Sequence, residues 1–442
     1  ALTGVVPVIV NNSTILAEVE NGTKTSHSRI TAGDSIGIIA AADSDIYIIA
    51  GGLAAAGANA AGASINTAIL KNDIQAHAGT WTELMTTATP AVQTSSNGIR
   101  IPNRNERRRG IIIFANGNED VVMVSVSAGA GGSNAITGVI NTLVVRNTVK
   151  ATSREHVTIS VKKAAGSSTN DTDPLPGVYI EAHDDTELLN LAGALSAAGS
   201  VGVGATVVAL VFNKNVTAET AKEHKILAPG KVQVIADAKD NLWLLAVNFA
   251  AGGSVGVAGG ANALVFQNHV TSALGGTTGD INNPVQSVKV SANSDSSLYN
   301  LAAAAGIGGT AGVTAVAVIT YFYNETLAYV KENSRIYAAG AVDILADSKE
   351  FVTADAAGAA GSGTVSVGGT LDVVVTKVVT KAYTEKNVLI HAKGTTADIS
   401  VKADDDYSLI AVVGTISASG VAAVAVSVLT TVSYNTVSAE IG

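Results

Sequence analysis

The chain has 442 residues with no cysteine, 45 glycines, 7 prolines, 4% aromatic residues and a charged fraction of 14%, against a usual value of about 25%. Without cysteine there is no disulfide framework, cysteine-ligated metal or iron–sulfur centre, and a formal net charge of −9 argues against a general nucleic-acid or acidic-lipid binder. Abundant Ala, Gly, Val, Ser and Thr beside so few aromatic and charged residues points to repetitive β structure rather than an ordinary enzyme.

In chain order, Ala1 opens into residues 2–10 with no charged leader region or cleavage site, so no signal peptide is expected. Residues 421–432, among the longest apolar runs, are too short for a spanning helix, and no membrane insertion is expected of this segment. Residues 5–17 resemble the last third of the repeats that follow; residues 5–10 compare with residues 315–319. Segments ending in an apolar-x-apolar-x-Ala pattern anchor those repeats at Ala115, Ala182, Ala236, Ala292, Ala346 and Ala403. The first repeat is irregular: its pattern ends at Ala40, and it is counted from Ala42, the alanine that precedes Asp43.

A second mark, Asn-x-[Val/Ile/Thr]-x-Ala, begins at Asn72, Asn147, Asn324 and Asn435, with looser copies at Lys214, Asn268 and Thr380. From anchor to mark the counts are 30, 32, 32, 32, 32, 34 and 32 residues, so this half is nearly fixed. From mark to next anchor the count falls from 43 and 35 to between 22 and 24. Insertions at one register of a solenoid emerge on one face. Residues 80–110, 163–177 and 274–284, in round bounds, are therefore expected to project from the same side.

Short apolar or alternating runs punctuated by Gly-Ala pairs are strand-and-turn grammar. Ala-rich runs such as residues 301–306 read as buried strands, because each helical glycine would cost about 1 kcal/mol. The predicted fold is an all-β parallel β-helix of about 55-residue repeats, expected to be right-handed and continuous over residues 1–442. The position after each anchor reads Asp43, Asn116, His183, Asp237, Asn293, Asp347 and Asp404, and Asp and Asn suit a stacked turn ladder. Asn72, Asn147, Asn268, Asn324 and Asn435 predict a second ladder. At two coils per repeat, about fifteen coils would make a thin rod about 70 Å long. Both termini cut through a repeat, so the expectation is either that the polypeptide continues or that open coils pair between copies.

Residues 334–346 (SRIYAAGAVDILA), 29–40 (RITAGDSIGIIA) and 226–236 (ILAPGKVQVIA) resemble the coil signature of filamentous haemagglutinin-like adhesins, approximately I-x-A-x-G-x-[IV]-x-[IV]-x-A. The Gly-Ala-rich half that follows, ending in Asn, is similar to the long repeats of leukotoxin-family filamentous adhesins of Gram-negative anaerobes. The likeness covers nearly the whole chain apart from the insertions. It implies a right-handed parallel β-helix exported by a type V route, as the stalk or passenger of an adhesin on or outside a Gram-negative cell.

The carboxylate groups Asp43/Asp45, His183/Asp184/Asp185, Asp237/Asp240 and Asp404/Asp405/Asp406 could serve acid–base chemistry or calcium, which takes six to eight oxygens from a fixed loop. Recurrence at one turn register explains them without either. The seven histidines form no HxH or HxxxH pair, and no nucleophile elbow, P-loop or dinucleotide fingerprint stands in a strand-to-helix setting. No metal or cofactor is expected. Arg104, Arg107, Arg108 and Arg109 are the only basic cluster. With Trp81 they form a candidate contact loop for a sulfated glycan, against the plainer reading of arginines paired to nearby acids.

The expected function is structural and adhesive: an extracellular rod, with self-association (end-to-end or lateral) or a surface receptor or glycan as partner. A self-assembling filament subunit is the first alternative, and a β-helix polysaccharide lyase or hydrolase the second. Acids and bases converging from several coils into a groove would favour the enzyme.

Overall fold

A computed structural model describes residues 1–87, 98–102, 104, 106–162, 175–394 and 397–442. There is no helix among them. The strands form three parallel sheets, each adding one strand per repeat, which makes the chain a parallel β-solenoid. Each coil begins with a short strand: Ser28–Ala32, Thr82–Thr86, Thr158–Ser160, Lys225–Leu227, Thr277–Thr278, Arg335–Ala338 and Leu389–Ala392. A long outgoing strand follows: Ile36–Ala41 with Ser44–Ala56, then Gly110–Gly131, Gly177–Ala198, Val232–Gly252, Val288–Gly308, Val342–Ser362 and Ile399–Ser419. A tight turn leads to a long returning strand: Asn59–Ala78, Asn134–Ser153, Val201–Thr220, Val255–Leu274, Ala311–Val330, Val365–Thr384 and Ala422–Ile441. Residues 2–5 and 8–19 pair with the first returning strand, so the N-terminal segment lies in the part of the repeat that its sequence resembles.

The expected thin rod is corrected. One repeat closes one wide coil, because the Gly-Ala pairs that read as turns lie inside strands of 20 to 22 residues. Seven such coils stand about 35 Å high, while the long strands run about 70 Å across them. The molecule is a slab, and its small residues sit where the two long sheets face each other closely.

Register makes the repeat more regular than the sequence reading. Ala40, Ala115, Ala182, Ala236, Ala292, Ala346 and Ala403 form one row, so the first coil is anchored at Ala40 rather than Ala42. The second row runs Asn72, Asn147, Lys214, Asn268, Asn324, Val378 and Asn435, so Val378 replaces Thr380. The interval from Ala40 to Asn72, from Ala346 to Val378 and in every coil between is 32 residues. All length variation falls between the returning strand and the next outgoing strand.

The interior is divided. One apolar core fills the prism bounded by all three sheets and includes Ile74, Val149, Ile113, Ile180 and Ile336. A second lies between the long sheets and includes the stacked rings of Phe212, Phe266 and Phe322, with centroids 5.1 and 4.7 Å apart. From those rings the interior narrows through Ala to Gly. At the outer edge of the slab, Gly57, Gly132, Gly199, Gly253, Gly309, Gly363 and Gly420 stack one per coil. A Cβ on each of the last six would collide with the carbonyl oxygen of the glycine one coil earlier.

Candidate functional site

The two ladders occupy other places than expected. The asparagine row lies inside the solenoid, between the two apolar cores, and Asn72, Asn147, Asn268 and Asn324 are fully buried. A buried amide needs partners, and these asparagines reach across to the outgoing sheet. Asn147 donates to Glu119 at 2.8 Å, Asn268 to Ser294 at 3.1 Å, Asn324 to Ser348 at 3.0 Å and Asn435 to Asp405 at 2.7 Å. Lys214 stands in the asparagine row fully buried, its Nζ 2.9 Å from Asp184 and 2.7 Å from Asp240. Burial opposes its charge, but those carboxylates outweigh it and hold Lys214 protonated. Burial pushes the Asp240 carboxyl up to about 6 despite Lys214, and pushes Glu119, which also faces Asp184, well above the usual carboxylate range.

The row Asn116, His183, Asp237, Asn293, Asp347 and Asp404 is not at a turn. It runs mid-strand along the outer face of the outgoing sheet, where strand alternation turns every second side chain away from the core, although Asn116 and His183 of this row are buried. Asp43 is not in it: Ala41 holds that register, and Asp43 accepts a hydrogen bond from Asn118 at 2.8 Å. Left-handed backbone, which a turn built on Asp or Asn can adopt, occurs instead at the corner before the short strands, at Trp81, His156, Gly276, Asn333 and Asn387. The next outer row alternates in sign through Asp185, Lys239, Asp295, Lys349 and Asp406. Opposite charges on neighbouring strands stabilise the pairing.

The longest insertion follows the short strand Thr82–Thr86, so its start is later than the expected residue 80. Its small antiparallel pair, Ile99–Arg100 with Arg107–Arg108, covers the start of the outgoing sheet. Ile101, Ile112, Phe114 and Tyr179 form a separate apolar cluster beneath it. Residues 163–174 of the second expected insertion lie outside the described residues. The third is a compact turn in which Asp280 accepts hydrogen bonds from the backbone of Asn282 and Asn283 at 2.8 and 2.7 Å.

The arginines are largely committed to neighbours. Arg109 bonds Asp34 at 2.7 Å and Arg107 donates to the carbonyl of Gly98 at 2.9 Å. Arg108 pairs with Glu181 and Glu106 and lies 4.7 Å over the Tyr179 ring. Trp81 does not join them. It sits at the left-handed corner, with its ring 3.8 Å from that of His156 and 5.6 Å from that of His27.

Arg104 is the member that reaches the ladder. With His183, Asp237, Asp185, Lys239 and Asp295 it lines an open groove of about 640 Å³. His183 Nδ1 lies 2.8 Å from Asp237 and 2.7 Å from Arg104, while Nε2 lies 3.2 Å from Glu181. One nitrogen cannot serve both neighbours: a neutral ring accepts from Arg104, and a protonated ring donates to Asp237. Burial alone would lower the His183 pKa, but Asp237 and Glu181 outweigh it and raise it, so the protonated ring is favoured. Burial would raise the Asp237 and Glu181 carboxyls, but their bonds to His183 bring both below the ordinary range.

Sequence reasoning located His183, Asp237 and Arg104 without joining them, and missed Glu181. For the internal ion cluster it offered Asp184 and Asp240 among the carboxylate groups and Lys214 as a looser asparagine mark, without joining them. No family model matches the chain, and neither the curated proteins nor the solved structures contain a match.

Proposed function

We propose that this solenoid is a non-catalytic display scaffold, an extracellular stalk or passenger segment of a bacterial surface adhesin of the kind its coil signature resembles. The observation that carries this reading is the partition of length. Thirty-two residues are held constant in every coil, while every insertion leaves from one corner, beside the groove that spans the second to sixth coils. Loops on a rigid frame are where specific contact evolves at least cost to the fold. The contact surface is the groove with its Arg104 rim, and the ligand class is a glycan whose hydroxyl and charged groups match alternating Asp and Lys.

The test is retention of the purified chain on immobilised neutral and sulfated glycans and on epithelial cells. Binding that falls at least tenfold in Arg104→Ala and Asp295→Ala, with unfolding unchanged, supports the groove. Equal binding by wild type and both variants removes it.

The groove also supports a second reading, a polysaccharide lyase or hydrolase, since acids and bases from several coils line it. Against this, both nitrogens of His183 are engaged and its side chain is buried, so His183 is not a free base aimed at a substrate. Release of reducing ends or unsaturated uronates from acidic polysaccharides, abolished in His183→Gln, would establish the enzyme instead.

A further inference from the structure

The half of each coil nearest the glycine edge is almost free of charge. Residues 46–70, 121–145, 188–212, 242–266, 298–322 and 409–433 contain no Asp, Glu, Lys, Arg or His. Residues 352–376 contain only Asp355 and Asp372, and burial pushes both carboxyls upward. This part of the slab is a fin of two closely packed sheets, and both of its outer faces are apolar apart from Asp355, which faces outward on the outgoing sheet in register with Leu301. On the returning sheet one outward row runs Ile69, Val144, Val211, Val265, Tyr321 and Val375. Nearer the edge, Ala205, Gly259, Ala315 and Gly369 floor a shallow groove along the solenoid axis. On the outgoing sheet the outward row Leu53, Ala128, Leu195, Phe249, Ala305 and Ala359 is equally apolar, with Leu53 73% and Leu195 48% exposed.

About ten residues along each strand and seven strands across give roughly 1,100 Å² per face. A lone protein in water seldom leaves more than a few hundred Å² of contiguous apolar surface open, and a stable interface needs about 800 Å² from each partner. Each face is therefore large enough by itself to hold a protein partner.

The fringes of the two faces differ in sign. Where the apolar zone of the returning sheet ends, the next outward row carries Lys71 and Arg146 in the first two coils. At the same level on the outgoing sheet the first three coils carry Asp45, Asp120 and Glu187. We propose that the occupant is a second copy of this chain, its outgoing-sheet fin face laid on the returning-sheet fin face of the first, so that the apolar zones coincide and Lys71 and Arg146 meet Asp45, Asp120 and Glu187. The contact joins unlike faces, so the pair keeps one face of each kind open and association continues sideways. A lipid surface fits less well, because an anionic or zwitterionic membrane gains nothing from the acidic fringe on one of the two faces.

The experiment is sedimentation velocity on the full chain over a wide concentration range at moderate salt. The wild type forms dimers and larger species. Lys71→Glu/Arg146→Glu, which sets acid against acid, and Asp45→Lys/Asp120→Lys, which sets base against base, each weaken association at least tenfold. An equimolar mixture of the two recovers it, since each then finds a complementary fringe. Val207→Asp, on the returning-sheet fin face, blocks association while leaving thermal unfolding unchanged. Wild type that stays monomeric throughout, or a mixture no better than either variant alone, overturns the proposal. Cosedimentation of monomer with phosphatidylcholine vesicles would then assign the fin to lipid.

Discussion

Lys214 occupies the position that asparagine holds in neighbouring coils, and two aspartates on the facing sheet answer it. A buried charge of this kind is tolerable only while every member is present. Lys214→Met leaves Asp184 and Asp240 uncompensated and is expected to cost about 3–5 kcal/mol in urea unfolding; Lys214→Asn, which restores the row's own residue, costs less. Glu350 acts with pH. Burial pushes its carboxyl up to about 8 despite bonds from Ser348 and Asn324, so the folded chain binds a proton there that the unfolded chain releases near pH 4.5. Stability is therefore lost as pH rises from about 4.5 to about 8. The raised carboxyl of Asp240 acts the same way up to about 6, and the raised His183 contributes stability that disappears above its folded pKa. Melting temperature is expected to be higher near pH 5.5 than at pH 8.5, and Glu350→Gln narrows the difference by raising the alkaline value. An unchanged gap in Glu350→Gln would mean that Glu350 ionises freely in the folded chain.

Elements here are decided where coils stack. In the glycine edge, Gly253 would place a Cβ against the carbonyl oxygen of Gly199, whereas at Gly369, on an outer face, nothing lies within 4 Å. Gly253→Ala is expected to destabilise by about 1–3 kcal/mol and Gly369→Ala to stabilise by about 0.4–1 kcal/mol, both read by chemical denaturation. The corner before the short strands has the opposite demand. Asn333 has φ of 61°, in the left-handed region, so Asn333→Gly is near neutral while Asn333→Val costs about 1–2 kcal/mol.

The whole molecule is a stack of like coils in which each touches only its neighbours, so stability should behave as a sum over coils and interfaces. Deleting residues 293–346 joins Ala292 to Asp347 in register and is expected to give a folded chain one coil shorter, with circular dichroism per residue unchanged and a slightly lower melting point. Removing the first half of that stretch, residues 293–319, puts part of a returning strand where an outgoing strand belongs and should abolish cooperative unfolding. If the half-length deletion folds as well as the full one, the coil is smaller than one repeat.

The repeat and its parallel solenoid fold were legible in the sequence, because pairing in register forces like residues to recur at like intervals. The anchors from Ala115 to Ala403 and most of the asparagine marks were read at their true places for that reason. The size of a coil was not legible: Ala and Gly suit both a tight turn and a strand whose facing sheet lies very close, and only the packing of two long sheets selects the second. Nor did sequence separate inside from outside. Asn147 and Asn116 are the same residue type in the same kind of strand, yet one points between the sheets among carboxyls and hydroxyls and the other lies on an outer face at the edge of an open groove, because successive strand positions face opposite ways. Tertiary structure alone joined Arg104, Glu181, His183 and Asp237, since Arg104 enters from an insertion and Asp237 from the next coil. It likewise gathered the charge-free stretches of successive coils into two broad apolar faces with fringes of opposite sign.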